Sequence, residues 1–347
     1  MQEFRQTPSA VKTSVPYWAA IRSDEQEREM GRDAAGGPAQ MVLTASVARR
    51  YYLDGRSKIE IAEEFALSRF KVARLLEAAR ATGLVKIEIS YPGEVDLELS
   101  GRLQERFGLR HAVVVDTPDD DTHSLRAHLG TAAADLLAEI VTPEDVLGLG
   151  WSRSISAVAA ALTELAPTPV VQLTGALSRS DGDDGSVDVV RDVARISGGP
   201  AYFFHAPFVV ADPATARALR RQPEVARTFA QFRGVTKAMV GIGRWAPAQS
   251  TVYDAATDRE RKALHRQGVC AEVSGVFVTP DGETPPTTLN ERMIGVSAAQ
   301  LRAVREVVAV PYETVKAPAV RAALRSGLVT SLVTHTSLAR ALITEDE

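Results

Sequence analysis

Apolar residues along the chain recur first at helical and later at strand spacing. Up to about residue 40 no period is sustained. Gly, Pro, Gln and charged residues mix there, ending in Ala34-Ala35-Gly36-Gly37-Pro38, and residues 1–40 read as a disordered leader. Met30 and Met41 both precede the first ordered pattern, so the sequence leaves the translation start open. A helix is then predicted from about Thr44 to Asp54, with Val47, Ala48 and Tyr51 on one face and Gly55 at its end. Ser57 and Glu60 form a capping box for a second helix whose apolar side is Ile59, Ile61, Ala62 and Phe65. After the turn Ala66-Leu67-Ser68, Ser68 caps a third helix in which Val72, Leu75, Leu76 and Ala79 recur at i, i+3, i+4 and i+7. Its other face shows Arg69, Phe70, Lys71 and Arg74; Gly83 ends it, and Leu84–Ser90 alternates as a strand.

After Pro92, a polar helix from about Val95 to Phe107 reads as a connector that Gly108 breaks. Beyond it, strand-like runs at 112–115, 146–149, 170–173, 201–204, 238–242, 307–310 and 331–334 are mostly separated by helical stretches at 125–140, 154–165, 187–196, 259–267, 315–324 and 337–342. Such alternation predicts an α/β domain with a mainly parallel, doubly wound sheet. The organisation expected is therefore a leader (1–40), an all-α winged helix-turn-helix (41–91), a connector helix (92–108) and an α/β domain (109–347).

Composition narrows the classes. At 347 residues, 45% apolar and 24% charged, the chain suits about two globular domains. Its longest apolar runs, such as Val307–Val310, fall far short of the roughly 20 residues a membrane span needs, and no basic-then-apolar leader opens it. A cytoplasmic protein with no membrane partner is expected. The single cysteine, Cys270, cannot form an internal disulfide and has no zinc-type ligand spacing around it, so it reads as a small buried residue, and no metal or cofactor is expected. The net charge of −4 hides a split: from Thr44 to Tyr91 nine basic residues face six acidic ones, which leaves the remainder at −7. That suits a small phosphate-seeking module on an acidic body, although +3 is also ordinary for a solvated surface.

The third helix has the form a major groove accepts: a tight turn before it, basic side chains on its first turns, and an apolar side held by a core. Arginine and lysine there can read guanine edges or clamp phosphates. In the α/β domain, ligands bind beyond the carboxyl ends of strands, where loops run into helix N-termini. The loop Gly148-Leu149-Gly150-Trp151-Ser152-Arg153-Ser154 joins a strand to a helix and holds small residues and a fixed cation, the parts of a phosphate cradle. Gly241-Ile242-Gly243-Arg244 is a second such loop or simply a tight strand-to-helix turn.

The segment Tyr51-Tyr52-Leu53-Asp54-Gly55, followed by Glu60-Ile61-Ala62-Glu63-Glu64-Phe65-Ala66-Leu67-Ser68-Arg69-Phe70-Lys71-Val72-Ala73-Arg74-Leu75-Leu76, closely resembles the DNA-binding domain of the SorC (central glycolytic regulator-like) family of sugar-responsive regulators. The resemblance continues from about Leu97 to Leu342. Gly150, Trp151, Ser152, Arg153 and Ser154 match the family's Gly-Trp-Gly-Arg-Thr loop, and Gln172 to Gly175, Gly241 to Gly243, the Glu272 segment, Asn290 to Gly295 and Lys316 are also similar to it. The resemblance implies a sugar-phosphate isomerase/deaminase-like fold that binds a phosphorylated sugar without turning it over, and a dimer or tetramer. It implies operator contacts at Ser68, Arg69, Phe70, Lys71 and Arg74 on double-stranded DNA. It implies effector contacts at Gly150, Trp151, Ser152, Arg153, Ser154, Gln172, Gly175, Gly241, Gly243, Glu272 and Lys316. The chain departs from the family at Ser152, at Val310-Pro311-Tyr312 and at His335. Each site residue also has a plain structural reading. Lys316 reads equally as a solvated lysine, Glu272 as a hairpin-surface residue, Trp151 as domain packing and His335 as a loop histidine. The rival function is a sugar-phosphate isomerase or deaminase carrying an accessory helix-turn-helix, but no close carboxylate or histidine constellation stands out for it.

Overall fold

A proline starts the first helix, Pro38–Tyr52, where its missing N–H costs no hydrogen bond. The helix thus begins before the Thr44 start that periodicity predicts and takes residues 38–40 out of the expected leader. The computed structural model describes residues 37–85, 95–117, 122–177 and 185–344; residues 1–36 of the leader and residues 86–90 of the wing strand lie outside them. In the helix Lys58–Glu64 both halves of the capping box form: Glu60 N donates to Ser57 Oγ at 3.3 Å and Ser57 N to Glu60 Oε2 at 2.8 Å. The chain turns through Ala66 in the left-handed region (φ 52°), and Ser68 Oγ accepts from Lys71 N at 3.2 Å to open the helix Arg69–Ala81. These three helices close on Val47, Ile61, Val72, Leu75, Leu76 and Ala79. The unit they form, Met1–Ser90, is separate from Tyr91–Glu347.

The second unit follows the predicted alternation. Its strands are β1 (His111–Val115), β2 (Leu147–Leu149), β3 (Val170–Gln172), β4 (Ala201–Tyr202), β5 (Lys237–Val240), β6 (Ile242–Arg244), β7 (Ala271–Val273), β8 (Val276–Val278), β9 (Glu306–Ala309) and β10 (Ser331–His335). Seven of them form one sheet in the order β1-β10-β9-β5-β2-β3-β4, parallel at every pairing. Successive strand residues face opposite sides. Ala238, Val240, Val307, Ala309 and Leu332 join one core with the helices Leu97–Phe107, Ala317–Arg325 and Thr336–Thr344, whereas Met239, Val308 and Val333 join another with the helices Thr122–Ile140, Arg153–Ala161 and Ser186–Ser197. Helices therefore cover both faces. The helix Leu97–Phe107, expected as a connector, is part of this unit: Leu99 and Leu103 are buried in its core, and Asp96 N donates to Val114 O at 2.8 Å.

The sequence reading fails on the second sheet. Gly241 to Arg244 is not a loop running into a helix: β6 pairs antiparallel with β7, and β7 with β8. The predicted strand 238–242 is two strands that part at Gly241, and the three-residue strands of the small sheet are too short to show an alternation. His335 is the last residue of β10, buried and in register with Val115, rather than a loop histidine. The helices Pro213–Arg220, Pro223–Gln231, Thr251–Ala255, Thr288–Glu291 and Ala298–Ala303 were also not foreseen.

A charged network stitches the amino edge of the large sheet. Lys237, opening β5, stands 3.7 Å from Asp145 before β2 and 3.4 Å from Glu306 at the start of β9. Glu306 also accepts from Ser331 Oγ of β10 at 2.7 Å and lies 2.6 Å from His111 Nδ1 of β1. Asp145 accepts from Thr236 Oγ1 at 2.7 Å and Arg305 Nη2 at 3.1 Å. Burial opposes ionisation of both carboxyls, but the hydrogen bonds from Thr236 and Thr142 to Asp145, those of Ser331 and His111 to Glu306, and the Lys237 charge outweigh it and hold both below the usual carboxylate range. A depressed folded pKa gives stability that is present above the unfolded value and lost as pH falls through the carboxylate range. Glu306→Gln is therefore expected to destabilise the protein at pH 7 by about 2 kcal/mol, less than for a stranded buried charge because Asp145 stays beside Lys237. Urea unfolding should show that difference shrinking steadily towards acid pH.

Candidate functional site

From β2 the chain winds outward through β3 and β4, and from β5 it winds the other way through β9 and β10. The strand order therefore reverses between β2 and β5, where loops leave in opposite directions and open a crevice at the carboxyl edge. A cleft of about 220 Å³ lies there, lined by the segments after β2, β3, β5 and β9 and by the small sheet. It is smaller than the pockets that drug-sized ligands fill.

Close backbone approach shapes the cleft. Gly150 N donates to Met239 O at 2.9 Å, tying the end of β2 to β5, and a Cβ on Gly150 would stand 2.5 Å from Ser274 Oγ. A Cβ on Gly241 would stand 2.7 Å from Ser152 Cβ, and one on Gly243 would collide with Glu272. Ser152 caps the helix Arg153–Ala161 by accepting from Ile155 N at 3.2 Å, so the Arg153 side chain leaves from the first residue of that helix, at the cleft.

Lys316 and Glu272 are not the surface residues that their plain readings make them. Lys316 ends a 3-10 turn, Thr314–Lys316, and is buried, with Nζ 2.9 Å from Glu313 Oε2 and 4.7 Å from the centre of the Tyr312 ring. Glu313 holds a left-handed backbone (φ 71°). Glu272, on β7, is buried and accepts from Gly275 N at 2.8 Å and Ser250 Oγ at 3.0 Å. Burial pushes its carboxyl above the ordinary glutamate range, and those hydrogen bonds and the Lys316 charge pull it back only in part. The cleft thus combines two cations, Arg153 and Lys316, with the carboxyls of Asp254, Glu272 and Glu313. Such a mixture can take one anionic group and several hydroxyls.

Of the effector residues nominated from sequence, Trp151, Ser152, Arg153, Ser154, Gly175, Gly241, Gly243, Glu272 and Lys316 line this cleft. Gly150 stands behind it as a spacer. Gln172 is turned away: its amide donates to Thr174 O at 2.8 Å and Ser186 Oγ at 2.9 Å and accepts from Phe204 N at 2.9 Å, which ties β3 to its neighbours. Thr174, Ser250, Asp254, Ser274, Tyr312 and Glu313 also line the cleft and were missed. Ser250 alone left a trace, as a serine preceding a short helix that it caps. In the separate N-terminal unit, Ser68, Arg69, Phe70 and Arg74 are exposed and Lys71 is half-buried. The Arg69 guanidinium stacks 4.8 Å from the Phe70 ring centre, with Phe70 67% exposed, so this aromatic is not held by the helical core.

Residues 91–344 match the family described as "Putative sugar-binding domain" (Sugar-bind). The chain is similar to the transcriptional regulator LsrR of Enterobacter sp. (strain 638), 28% identical over 328 residues that cover 92% of this chain and 98% of that protein. It is 26% identical over 313 residues to the deoxyribonucleoside regulator of Bacillus subtilis (strain 168), covering 87% and 97%. Among solved structures, the full-length sorbitol operon regulator SorC from Klebsiella pneumoniae has a similar fold, with a TM-score of 0.67 at 21% identity over 86% of this chain and 97% of that one.

The geometry at Gly241 can be tested against a neutral control. Gly241→Ala should destabilise the protein by about 1–3 kcal/mol through overpacking against Ser152, read as a lower Tm. Gly101→Ala, in the helix Leu97–Phe107 with nothing within 4 Å of the added Cβ, should instead raise stability by about 0.5–1 kcal/mol.

Proposed function

Because this chain belongs to the Sugar-bind family, and with it to the SorC type of sugar-binding regulators, we propose that it is a transcription regulator whose hold on a DNA operator is set by a small phosphorylated sugar bound at the carboxyl edge of the large sheet. The observation that carries this reading is the cleft between β2 and β5, where Arg153 and Lys316 meet three carboxyls beside a helix N-terminus. In this reading Arg153 and the amides at the start of its helix hold the phosphate. Asp254 and Glu272 accept sugar hydroxyls, and Trp151 closes one side. The ligand is sensed and not consumed.

The N-terminal unit supplies the other half. Ser68, Arg69, Lys71 and Arg74 face the operator, with the helix Arg69–Ala81 in the major groove of double-stranded DNA and Phe70 offering an apolar edge to a thymine methyl. One such module covers too little DNA for tight specific binding, so the working form is a homo-oligomer, a dimer or tetramer acting in the cytoplasm. A sugar phosphate can alter operator affinity only by binding two states of the protein unequally.

Arg153→Ala should bind operator as the wild type does yet fail to respond to the sugar phosphate, because a lost charge-assisted pair weakens that ligand about tenfold or more. Gel-shift titration over a panel of sugar phosphates reads both properties. An unaltered response would place the anion elsewhere, and accumulation of product from a sugar phosphate would favour an enzyme. Arg69→Ala and Arg74→Ala should each cost about 1–3 kcal/mol of operator binding where they read a base, or lower its salt dependence where they touch phosphate. Unchanged affinity in both would remove the helix from the groove. Light scattering should find no monomer at operator-saturating concentrations.

A further inference from the structure

A second cavity of about 220 Å³ lies beyond the Ser274–Gly275 turn and shares only Phe208 and Ser274 with the cleft. Phe277, Met293, Val296, Pro285 and Pro286 make its walls largely apolar, and among its lining residues only Arg220 is charged. Arg220 ends the helix Pro213–Arg220 and donates to the carbonyl of Met293. Among the described residues it has no ion pair, and its Nε is buried without a hydrogen-bond partner. Burial alone pushes its guanidinium below the usual arginine range.

Arg292, nearby in sequence to Met293, shows what such a group ordinarily has. It also donates to a backbone carbonyl, that of Val210, but it is paired through Nε at 2.7 Å and Nη2 at 2.8 Å with Glu260, whose carboxyl is brought down to about 2 by the arginine and Thr257 against the cost of burial. Arg220 has the carbonyl and lacks the carboxylate. A guanidinium taken out of water without a counter-charge is costly, and its planar donor edge fits a carboxylate.

Apart from Ser274 Oγ, which is buried without a hydrogen-bond partner, the cavity's other polar side chains and the helix start beside it are committed. Asn290 Nδ2 donates to Gly275 O at 3.1 Å, and its Oδ1 accepts from Thr287 at 2.8 Å. The start of the helix Ala298–Ala303 is closed by its own capping box, in which Ser297 Oγ accepts from Gln300 N at 3.3 Å and Gln300 Oε1 accepts from Ser297 N at 3.0 Å. A single cation, with one uncommitted hydroxyl at Ser274, suits one negative charge rather than two, and the apolar walls suit a carbon body rather than a polyol. We propose that this cavity is a second ligand site, separate from the sugar-phosphate cleft, which takes a small monocarboxylate with an apolar body and pairs its carboxylate with Arg220.

The test uses the full chain and calorimetric titration with isovalerate, benzoate, the uncharged isovaleramide and inorganic phosphate. Isovalerate or benzoate should bind saturably, one per chain, with isovaleramide and phosphate at least about tenfold weaker. Arg220→Met should weaken the carboxylate at least as much, and without ligand it should melt no lower than the wild type, since it removes a cation lacking its counter-charge. Arg153→Ala should leave carboxylate binding unchanged, which separates this site from the cleft whatever becomes of the sugar-phosphate reading. The acid and amide are compared on the wild-type chain, so the test stands even where a variant folds poorly. Absence of saturable carboxylate binding, equal binding of the amide or of phosphate, or binding indifferent to Arg220→Met with a lowered Tm would overturn the proposal.

Discussion

The architecture of the α/β unit turns on how closely the backbone can pass itself at Gly241. Residues 237–240 run in the large parallel sheet and residues 242–244 in the small antiparallel one, so a single peptide carries the chain from one sheet to the other. Ser152, at the end of the neighbouring loop, sits where a side chain on residue 241 would have to go. Gly150 and Gly243 repeat the constraint on either side, against Ser274 and Glu272. Three absent side chains thus let a loop, a helix start and a second sheet converge on one crevice. Any of them filled would crowd a residue that lines this cleft: Ser274, Ser152 or Glu272.

Much of this was legible because it rests on periodic burial. Strands buried on both faces read as short apolar runs, and the helix at Arg69–Ala81 shows its core positions at helical spacing. Ser57, Glu60 and Ser68 announce helix starts because capping is a local bond that sequence neighbours must satisfy. Glycine in the loop after β2 pointed correctly to close approach. The small sheet was not legible, since its pairing joins residues 242–244 to 271–273 and depends on partners distant in sequence. For the same reason the burial of Glu272 and Lys316 could not be seen: their surroundings are assembled from strands and turns far apart along the chain. Gln172 misled because a buried amide that serves as a structural tie looks, in sequence, like one that awaits a ligand.

The cleft's electrostatics set it apart from a simple anion hole. Lys316 already carries a carboxylate partner in Glu313, and burial holds Glu272 above the ordinary glutamate range against the hydrogen bonds that favour its charge. An incoming anion therefore competes with an internal one at Lys316. For the sugar phosphate proposed above, selectivity comes from the simultaneous demands of an anionic end and a hydroxylated body, and neither inorganic phosphate nor a neutral sugar meets both.

The two edges of the large sheet are unlike. At the amino edge Asp145, Lys237, Glu306, Ser331 and His111 bind five strands to one another. At the carboxyl edge three of those strands, β2, β5 and β9, end in segments that line the cleft. The charged residues that secure the amino edge and those that line the cleft are thus different residues, set a strand's length apart. Mutations that retune recognition need not pass through the network that secures the fold, and the fold can drift without disturbing recognition. A lineage built on this sheet can acquire a new chemical preference through loop substitutions that leave the amino-edge network untouched.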